Sequence, residues 1–461
     1  MTGSRSFTSI NLREDLIANL ETIGYDEMTL VQAETLPAIV AGQDVLARAK
    51  TGSGKTAAFG LGLLNALEPE RFVCQALVLC PTRELADQVA KELRTLARAI
   101  PNIKILTLCG GLSFGPQVGS LQHSPHIVVG TPGRVLKHLR KTTLLLSDLQ
   151  TLVLDEADRM LDMGFAEEIE EIHRFLPLPR QTLLFSATYP DSIGEISQHF
   201  QDDPVVVDVT DDEQPASIVQ TYFEVQESDR MSSLLSALYT WGGALNLVFC
   251  NTKVDCAEVV EFLQSKKVAA VALHGDLEQH ERSEVLVRFS NKSATVLVAT
   301  DVAARGIDIK SLDAVFNYEL PKQAEVYVHR IGRTGRASES GDAITLTTAS
   351  ESWRWKAIKE LLPDAFPRRV AAPTSKRGNP KLIPEMMTIQ INGGRRNKLR
   401  PGDLLGALTA DNGVAGKRVG DISLMDTCAY IAVEADDAKK AQQQLSNRPI
   451  KGRRYRARIR Y

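Results

Sequence analysis

The segment AKTGSGKT, at positions 49–56, combines residue types that bind phosphate groups. Its two glycines allow the backbone to curve closely around phosphate oxygens with the amide groups pointing inward. Lys55 can reach the β- and γ-phosphates of a nucleoside triphosphate, and Thr56 offers a hydroxyl to Mg²⁺. An apolar run precedes the segment and a helical pattern follows it, so the helix start adds a favourable partial positive charge. The residues expected to hold the triphosphate are Gly52, Ser53, Gly54, Lys55 and Thr56.

Three carboxylates follow the apolar run LVL: Asp155, Glu156 and Asp158. Like charges repel at this spacing, but a Mg²⁺-triphosphate would make the cluster useful, because carboxylates and water hold Mg²⁺. Asp155 is the candidate metal ligand, and Glu156 is the candidate general base that positions or deprotonates the attacking water. Asp158 is expected to form hydrogen bonds within its own domain. Alone, the cluster could be an acidic helix start; the phosphate-binding segment about 100 residues upstream favours a nucleotide site.

Short apolar runs alternate with helical patterns as far as residue 350, and they predict the scaffold that positions these groups. Runs without polar alternation are typical of parallel strands covered on both faces, and the segments between them are long enough for crossover helices. We therefore predict an α/β protein with two consecutive doubly wound parallel-sheet domains. The predicted strands are 44–49, 76–80, 126–130, 151–154, 182–186, 246–250, 296–300, 314–318 and 343–348.

Two breaks divide the chain. Residues 208–217 are acidic and contain one proline, which is typical of a short hydrated linker, and residues 373–384 contain three prolines. Beyond the second break, MMTIQIN, AYIAV and RRYRARIRY are predicted strands and PGDLLGALT opens a helix, which indicates a small α+β domain. The predicted domains are 1–208, 218–370 and 385–461.

The composition is that of a globular protein, with 43% hydrophobic and 24% charged residues in 461. No apolar run reaches the ~18–20 residues of a membrane span, and the first residues lack the apolar core of a secretory signal. The six cysteines form no CxxC pair, which argues against a zinc cage or a disulfide framework. We expect a cytoplasmic protein that has no membrane partner.

The net charge of −3 conceals an asymmetry along the chain. Residues 371–461 contain 18 basic and 8 acidic side chains, a net charge of +10, whereas the remaining residues carry −13. A basic domain attached to an acidic body predicts a polyanionic partner for that domain. The alternative is a solvated basic surface that binds nothing.

The chain carries an ordered set of motifs that resembles the DEAD-box RNA helicases. The resemblance covers residues 7 to about 345 and implies two tandem RecA-like domains, with ATP and Mg²⁺ as cofactors. It also implies an RNA-dependent ATP hydrolase that locally unwinds short RNA helices. The matching segments are PTREL (81–85), GG (110–111), TPGR (131–134), DEAD (155–158), SAT (186–188), ATDVAARGID (299–308) and HRIGRTGR (329–336).

The family's adenine-reading segment matches GYDEMTLVQ, at positions 24–32. The resemblance implies that Gln32 contacts the adenine edge, which would favour ATP over GTP, and that Phe7 is the isolated upstream aromatic. Phe7 could equally be a hydrophobic staple. Met28 stands where the family usually has proline, which weakens the stiffening of this loop but leaves Thr29 and Gln32 in place.

The resemblance places the rest of the catalytic site in the second domain. Arg333 and Arg336 are the expected arginine fingers, which neutralise the charge that develops on the transferred phosphoryl group. Asp308 is the expected ribose contact, and His329 is expected to link its motif with the SAT motif. The alternative for the arginines is a plain basic surface.

The family's RNA contacts come from loops on one face of both domains. They meet the RNA backbone, so they are independent of sequence. Bending of the bound strand would destabilise a local duplex. The matching residues are Thr82, Arg83, Gly111, Thr131, Gly133 and Arg134 in the first domain and Gln279, Arg282 and Thr300 in the second.

The basic C-terminal segment resembles the RNA-recognition-motif-like domain of one bacterial member of the family. That resemblance implies a hairpin of large-subunit ribosomal RNA as the target and pre-50S particles as partners during ribosome assembly. Ordinary RNA-recognition motifs stack bases on aromatics of the central strands, but MMTIQIN has none. Tyr430 and Tyr455 could stack bases or simply pack. The expected RNA contacts are Arg395, Arg396, Lys398, Arg400, Lys451, Arg453 and Arg454.

Other functions remain open from the sequence. An ATP-gated RNA clamp needs the same motifs without strand separation. A DNA helicase of related fold is disfavoured by the DEAD tetrapeptide, Gln32 and the C-terminal domain. A metal-dependent nuclease would use the acidic cluster but would not need Lys55. We expect a monomer.

Overall fold

The computed structural model describes residues 5–49, 52–189, 191–209, 218–304, 312–335, 341–363, 365–375 and 378–460. The described residues up to 209 form one compact unit, and those from 218 onward form a second. Residues 210–217, most of the predicted linker, lie outside the described residues. None of the helices within these ranges is long and apolar enough to cross a membrane.

The first unit is a parallel sheet of seven described strands with helices on both faces. The strands are β1 (Val45–Arg48), β2 (Ala76–Leu79), β3 (Ile105–Leu108), β4 (Ile127–Gly130), β5 (Thr151–Asp155), β6 (Gln181–Ser186) and β7 (Val205–Asp208). The helices are α1 (Glu14–Thr22), α2 (Leu30–Val40), α3 (Lys55–Ala66), α4 (Arg83–Leu96), α5 (Phe114–Leu121), α6 (Pro132–Arg140), α7 (Ala157–Asp162), α8 (Ala166–His173) and α9 (Asp191–Phe200). One hydrophobic cluster fills each side of the sheet, as expected for strands apolar on both faces.

The strand order of the first unit, β3-β4-β2-β5-β6-β1-β7, places two groups of loops along one edge. Neighbouring strands of this sheet pair in parallel throughout the described residues, so their carboxyl ends share that edge. The phosphate-binding segment, the DEAD tetrapeptide and the SAT motif follow β1, β5 and β6, which are neighbours. PTREL, GG and TPGR follow β2, β3 and β4, which form the other half. Ligands of open α/β sheets bind at such an edge.

The second unit begins with another parallel sheet, in the order β10-β11-β9-β12-β13-β8-β14 among the described strands. Its strands are β8 (Ile218–Glu224), β9 (Asn246–Cys250), β10 (Ala270–Leu273), β11 (Val296–Thr300), β12 (Ala314–Asn317), β13 (Gly341–Thr347) and β14 (Arg368–Arg369). Its helices are α10 (Arg230–Trp241), α11 (Lys253–Ser265), α12 (Gln279–Ser290), α13 (Asp301–Ala304), α14 (Ala324–Ile331) and α15 (Arg354–Leu361). Leu382 packs into the core of this sheet and is only 3% exposed.

The same unit ends in an antiparallel sheet of four described strands, in the order β16-β17-β15-β18. The strands are β15 (Met386–Ile391), β16 (Val419–Leu424), β17 (Ala429–Glu434) and β18 (Ala457–Arg460), and the helices are α16 (Pro401–Thr409) and α17 (Ala438–Asn447). The chain order βαββαβ with β15 and β17 in the centre is that of an RNA-recognition motif. These three sheets confirm the predicted fold class; the exact domain boundaries remain a prediction.

Candidate ATP and RNA site

The phosphate-binding segment lies between β1 and α3, as predicted. Gly54 has a left-handed backbone, with φ of 98°, and α3 begins at the next residue. Lys55 is 6% exposed, and its ammonium donates a hydrogen bond to the carbonyl oxygen of Ala49 at 2.9 Å. Gly52 is exposed, while Ser53 and Thr56 are half-buried. The loop backbone and Lys55 therefore lie together at the carboxyl edge of the sheet.

Gln32 is tied to this loop by a contact that sequence reasoning did not predict. Its amide nitrogen donates a hydrogen bond to the carbonyl oxygen of Gly54 at 3.1 Å, and its amide oxygen accepts one from the Thr29 backbone at 2.9 Å. A side-chain carbon on Gly54 would lie 2.6 Å from that amide nitrogen. Phe7 is 4% exposed and packs 6.4 Å from the ring of Tyr25. Phe7 therefore packs within the first unit, and Gln32 contacts the phosphate-binding segment; the roles of both residues at adenine remain predictions.

The DEAD carboxylates occupy three different environments. Asp155, the last residue of β5, is 3% exposed. Burial raises the pKa of Asp155 to about 7; the Lys55 ammonium opposes this rise, and the Glu156 carboxylate adds to it. Glu156 has a left-handed backbone, with φ of 53°, and forms a buried ion pair with Arg159 at 3.0 Å. A cation beside Asp155 would favour its charged form.

The donor set at this position fits Mg²⁺. Among the described residues, no three or more His, Cys, Asp or Glu side chains cluster to hold a metal ion. Mg²⁺ usually uses one or two carboxylates and takes its other ligands from phosphates and water, so Asp155 with Thr56 would be a sufficient protein contribution.

Asp158 forms the hydrogen bonds predicted for it. Its Oδ2 atom accepts from the backbone nitrogen of Thr188 at 2.9 Å and from the Thr188 hydroxyl at 2.8 Å. Burial raises the pKa of Asp158, but these two hydrogen bonds, together with the charges of Lys55 and Arg159, outweigh it and hold the pKa below its usual value. The Ser186 hydroxyl donates to the Thr188 carbonyl oxygen at 2.6 Å. The SAT motif is thereby fixed to the DEAD motif within one unit.

The predicted RNA residues of the first unit meet at the other half of the edge. The Arg83 guanidinium lies over Gly111 so closely that a side-chain carbon there would be 1.6 Å from it. Thr82 caps α4, its hydroxyl accepting from the Leu85 backbone at 3.3 Å. Thr131 immediately precedes α6, and Gly133 in its first turn is exposed. PTREL, GG and TPGR therefore form one surface.

Arg134, a predicted RNA contact, belongs to a cluster whose other members, Gln117, His138 and Phe114, were not predicted from the sequence. Arg134 donates to the side-chain oxygen of Gln117 at 2.6 Å and to the Leu112 carbonyl oxygen at 2.8 Å. His138 is fully buried, lies 3.1 Å from the same Gln117 oxygen and stacks on Phe114 with ring centres 4.3 Å apart. Arg134 and His138 are four residues apart on α6, and this spacing could have predicted from the sequence that they share one helix face.

In the second unit, Arg330 anchors the helix that carries the arginine motif. It is 1% exposed and donates to both carboxylate oxygens of Asp301, at 2.6 and 2.8 Å, and to Asn251 at 2.9 Å. Arg333, one turn further on, is 7% exposed, and His329 is half-buried. Asp308 and Arg336 lie outside the described residues. Arg330, which was not predicted as a site residue, is thus the residue of this motif that fixes α14 to the rest of the second unit.

The other predicted RNA residues of this unit lie at the carboxyl ends of neighbouring strands. Gln279 is the first residue of α12, and Arg282 lies one turn later. Thr300 is the last residue of β11 and is half-buried. The structure therefore places all three near the ends of β10 and β11, which pair in the sheet.

Two basic segments of the C-terminal domain, distant in sequence, meet in the fold. The Lys451 ammonium donates a hydrogen bond to the Lys398 carbonyl oxygen at 2.7 Å and forms an ion pair with Asp403 at 2.8 Å. We call the resulting surface the basic patch. Its members, all exposed, are Arg395, Arg396, Lys398, Arg400, Lys451, Arg453 and Arg454. Tyr430 and Tyr455 are 3% and 6% exposed, which favours packing over base stacking.

One face of the C-terminal sheet packs on α12 and the residues after it. The fully buried Thr388 hydroxyl lies 2.6 Å from the Ser293 hydroxyl and accepts a hydrogen bond from Asn291 at 3.1 Å. Arg460, paired with Thr388 across the strands, forms an ion pair with Glu284 at 3.1 Å. An ordinary RNA-recognition motif stacks bases on this sheet face. Here α12 and the residues after it cover part of that face.

Comparison with known proteins gives the family. Residues 29–196 match the DEAD/DEAH box helicase family, residues 230–338 match the helicase conserved C-terminal domain, and residues 388–459 match the DbpA RNA binding domain. The chain is 51% identical over 455 residues to the ATP-dependent RNA helicase DbpA of Escherichia coli (strain K12), covering 98% of this chain and 99% of that protein. The chain belongs to the DEAD-box family of RNA helicases.

Two further proteins are similar to this DEAD-box chain. The ATP-dependent RNA helicase DbpA of Bacillus subtilis (strain 168) is 36% identical over 468 residues, covering 97% of this chain and 98% of that protein. The structure of S. cerevisiae Dbp5 bound to RNA and ADP BeF3 has a TM-score of 0.73 and 31% identity, covering 80% of this chain and 96% of that chain.

Membership in the DEAD-box family confirms the main predictions from the sequence. The chain is an ATP-dependent RNA helicase that binds ATP and RNA, and its resemblance to the bacterial DEAD-box protein A (DbpA) extends through the C-terminal domain. The roles of individual site residues remain predictions.

Proposed function

We propose that this DEAD-box helicase remodels a hairpin of large-subunit ribosomal RNA within pre-50S particles, to which its C-terminal domain directs it. The hydrogen bond between Lys451 and Lys398 carries this proposal, because it joins two basic segments into one exposed patch. The match of residues 388–459 to the DbpA RNA binding domain supports the same partner. A patch of seven cations is suited to a folded, highly charged RNA.

The covered sheet face supports the basic patch as the RNA contact. Thr388 and Tyr430 lie on the central strands, where bases usually stack, yet both are buried. RNA would therefore reach this domain through the loops before α16 and before β18. Such contacts combine charge with shape, as a structured hairpin requires.

ATP hydrolysis would use the residues at the sheet edge of the first unit. Lys55 and the backbone of Gly52, Ser53 and Gly54 would hold the phosphates, and Gln32 would contact adenine. Mg²⁺, held by Asp155 and Thr56, would neutralise charge on the phosphates. Glu156 would orient or deprotonate the attacking water, and Arg333 would stabilise the charge of the transferred group.

The proposal also covers the location and oligomeric state of the protein and the roles of three further residues. The protein would act in the cytoplasm as a monomer. Asp308, Arg336 and His329 keep their expected roles in ribose binding, phosphoryl stabilisation and coupling to RNA.

The test measures ATPase activity against a panel of large-subunit ribosomal RNA fragments and unrelated RNAs of equal length. We expect one hairpin fragment to stimulate hydrolysis at much lower concentrations than the others. Arg453→Glu combined with Arg454→Glu should remove this preference while unrelated RNA at saturation still stimulates. Lys439→Glu is the control. Lys439 is exposed and lies in α17, after the end of β17, whereas the basic patch lies near the start of that strand. Equal stimulation by all RNAs in the unmodified protein would contradict the proposal.

A strand-separation assay distinguishes unwinding from the ATP-gated clamp. A short duplex joined to the preferred hairpin should come apart only with ATP. Hydrolysis and tight RNA retention without separation would favour the clamp.

A further inference from the structure

An acidic cleft of about 460 Å³ lies in the second unit, between the start of α10, one face of α11 and the residues after β12. Asp255, Glu258 and Phe262 line it from α11, where their spacing of three and four residues places them on one helix face. Glu227 borders it before α10, and Glu319 borders it after β12. The cleft thus carries four carboxylates.

The negative charge of the cleft is only partly neutralised. None of the described residues that line it is Lys or Arg. Arg230 lies behind it and is 2% exposed; its guanidinium forms ion pairs with Glu351, with Glu227 of the cleft at 3.5 Å and with Glu319 of the cleft at 3.9 Å. Glu319 has one oxygen bound by the Asn251 backbone at 2.8 Å. Two of the lining carboxylates, Glu227 and Glu258, are exposed.

The floor of the cleft is apolar and contains one unused polar group. Met231 and Phe262 supply apolar surface, and Tyr318 is 7% exposed. The Tyr318 hydroxyl makes no hydrogen bond to any residue that the structure describes, whereas its ring contacts Arg230 at 5.5 Å. Burial raises the pKa of Tyr318, so the hydroxyl keeps its proton at neutral pH. Because Tyr318 lines the cleft, an occupant would offer its hydroxyl a hydrogen-bond partner.

We propose that this cleft binds a lysine- and arginine-rich peptide segment of a partner protein. An apolar side chain of the segment packs on Met231 and Phe262, and its cations meet Glu227, Glu258 and Asp255. The Tyr318 hydroxyl bonds to the peptide backbone. RNA is excluded, because four carboxylates repel phosphates. This surface lies outside the ATP and RNA residues, so it would recruit a protein to the helicase without blocking catalysis.

The probe is a fluorescein-labelled peptide, Arg-Leu-Lys-Arg-Phe-Arg-Lys-Leu, titrated with the full-length protein and followed by fluorescence anisotropy. Combining Glu227→Gln with Glu258→Gln should raise the Kd at least 10-fold and flatten its salt dependence, since two charge contacts are lost. Tyr318→Phe should weaken binding severalfold. The matched control is Glu261→Gln, an exposed carboxylate on the same helix that does not line the cleft; it should bind as the unmodified protein does.

Circular dichroism and RNA-stimulated ATPase activity of the glutamine variants should match the unmodified protein, which shows that the fold is intact. Absence of peptide binding at 100 µM, or an equal Kd for the double variant and the control, would overturn the proposal. So would displacement of the peptide from the cleft by single-stranded RNA, or self-association in sedimentation that only the double variant abolishes. The last two results would identify RNA or a second copy as the occupant.

Discussion

The side-chain amide of Gln32 donates a hydrogen bond to the carbonyl oxygen of Gly54, at 3.1 Å. The residue expected to read adenine therefore also holds the loop expected to bind phosphate. Thr29 completes the arrangement by capping α2 together with Gln32. If Gln32 reads adenine as predicted, this hydrogen bond links nucleobase recognition to the geometry of the phosphate-binding segment.

Gln32→Glu tests this link. The variant keeps an acceptor for the Thr29 backbone but places a carboxylate oxygen against the Gly54 carbonyl, so the loop loses its donor. We expect the KM for ATP to rise about 10-fold or more, as removal of one or two such hydrogen bonds predicts. RNA-dependent ATPase kinetics measure this effect. Glu34→Gln, an exposed change on the same helix, should leave the KM unaltered; an unaltered KM in Gln32→Glu would contradict the link.

Glu156→Gln should abolish turnover but preserve ATP binding. Glutamine keeps the size of the side chain and a contact with Arg159 but cannot accept a proton from water, and losing a general base typically costs on the order of 10²–10⁴ in rate. Steady-state hydrolysis and equilibrium binding of a fluorescent ATP analogue give the two readouts. Glu167→Gln on α8 is the exposed control. Hydrolysis at the unmodified rate would remove Glu156 from the catalytic site.

Arg330→Met should destabilise the second unit. The change leaves Asp301 and Asn251 without the guanidinium that both contact, and breaking a buried ion pair usually costs about 3–5 kcal/mol. Urea denaturation of the full chain should show a lower midpoint for one transition. Lys322→Met, exposed just before α14, should leave the midpoint in place. A stable variant with lost ATPase activity would instead assign Arg330 to catalysis.

The stability of the first unit should fall as pH drops. Burial, helped by the positive charges of Arg134 and Lys137, lowers the pKa of His138 from its ordinary 6.5 to about 4. In the unfolded chain His138 binds a proton below about pH 6.5, whereas in the folded chain it does so only below about pH 4. The neutral, buried His138 therefore contributes its full stabilisation above pH 6.5, and this contribution is lost as pH falls towards 4. The expected loss is about 2–3 kcal/mol.

Urea denaturation at pH 7 and pH 4.5 measures this loss. His138→Gln should reduce the difference between the two pH values, although it also perturbs the contacts of Gln117. His123→Gln, an exposed change, should keep the full difference. Equal pH dependence in all three proteins would show that His138 is not the group responsible.

Leu382 predicts where the chain can be shortened. Its side chain belongs to the core of the second parallel sheet, and its carbonyl oxygen accepts a hydrogen bond from Thr295 at 2.9 Å. A chain ending at residue 384 should keep this contact, whereas one ending at residue 370 should unfold more easily by about 2 kcal/mol or more. Both lack the C-terminal domain, so their thermal unfolding is directly comparable. Identical melting temperatures would show that Leu382 contributes nothing.

The sequence by itself determined the chemistry of this helicase and most of its framework. The order of glycines, Lys55 and the DEAD carboxylates indicated ATP binding, and apolar runs marked strands such as β1, β5 and β11 close to their observed bounds. Short or half-buried strands, including β3, β10 and β16, were missed. Strands of four residues such as β3 and β10 depend on their neighbours in the sheet, and the exposed residues of β16 weaken its apolar pattern.

Only the tertiary structure decided which distant groups meet. The contacts of Gln32 with Gly54, of Lys451 with Lys398 and of Thr388 with Ser293 join residues from different elements, and no local period encodes them. Periodicity reports which face of one element is buried, because that depends on neighbours along the chain. Which surfaces pack together depends on shape and on satisfying every buried polar group, and these are properties of the whole fold.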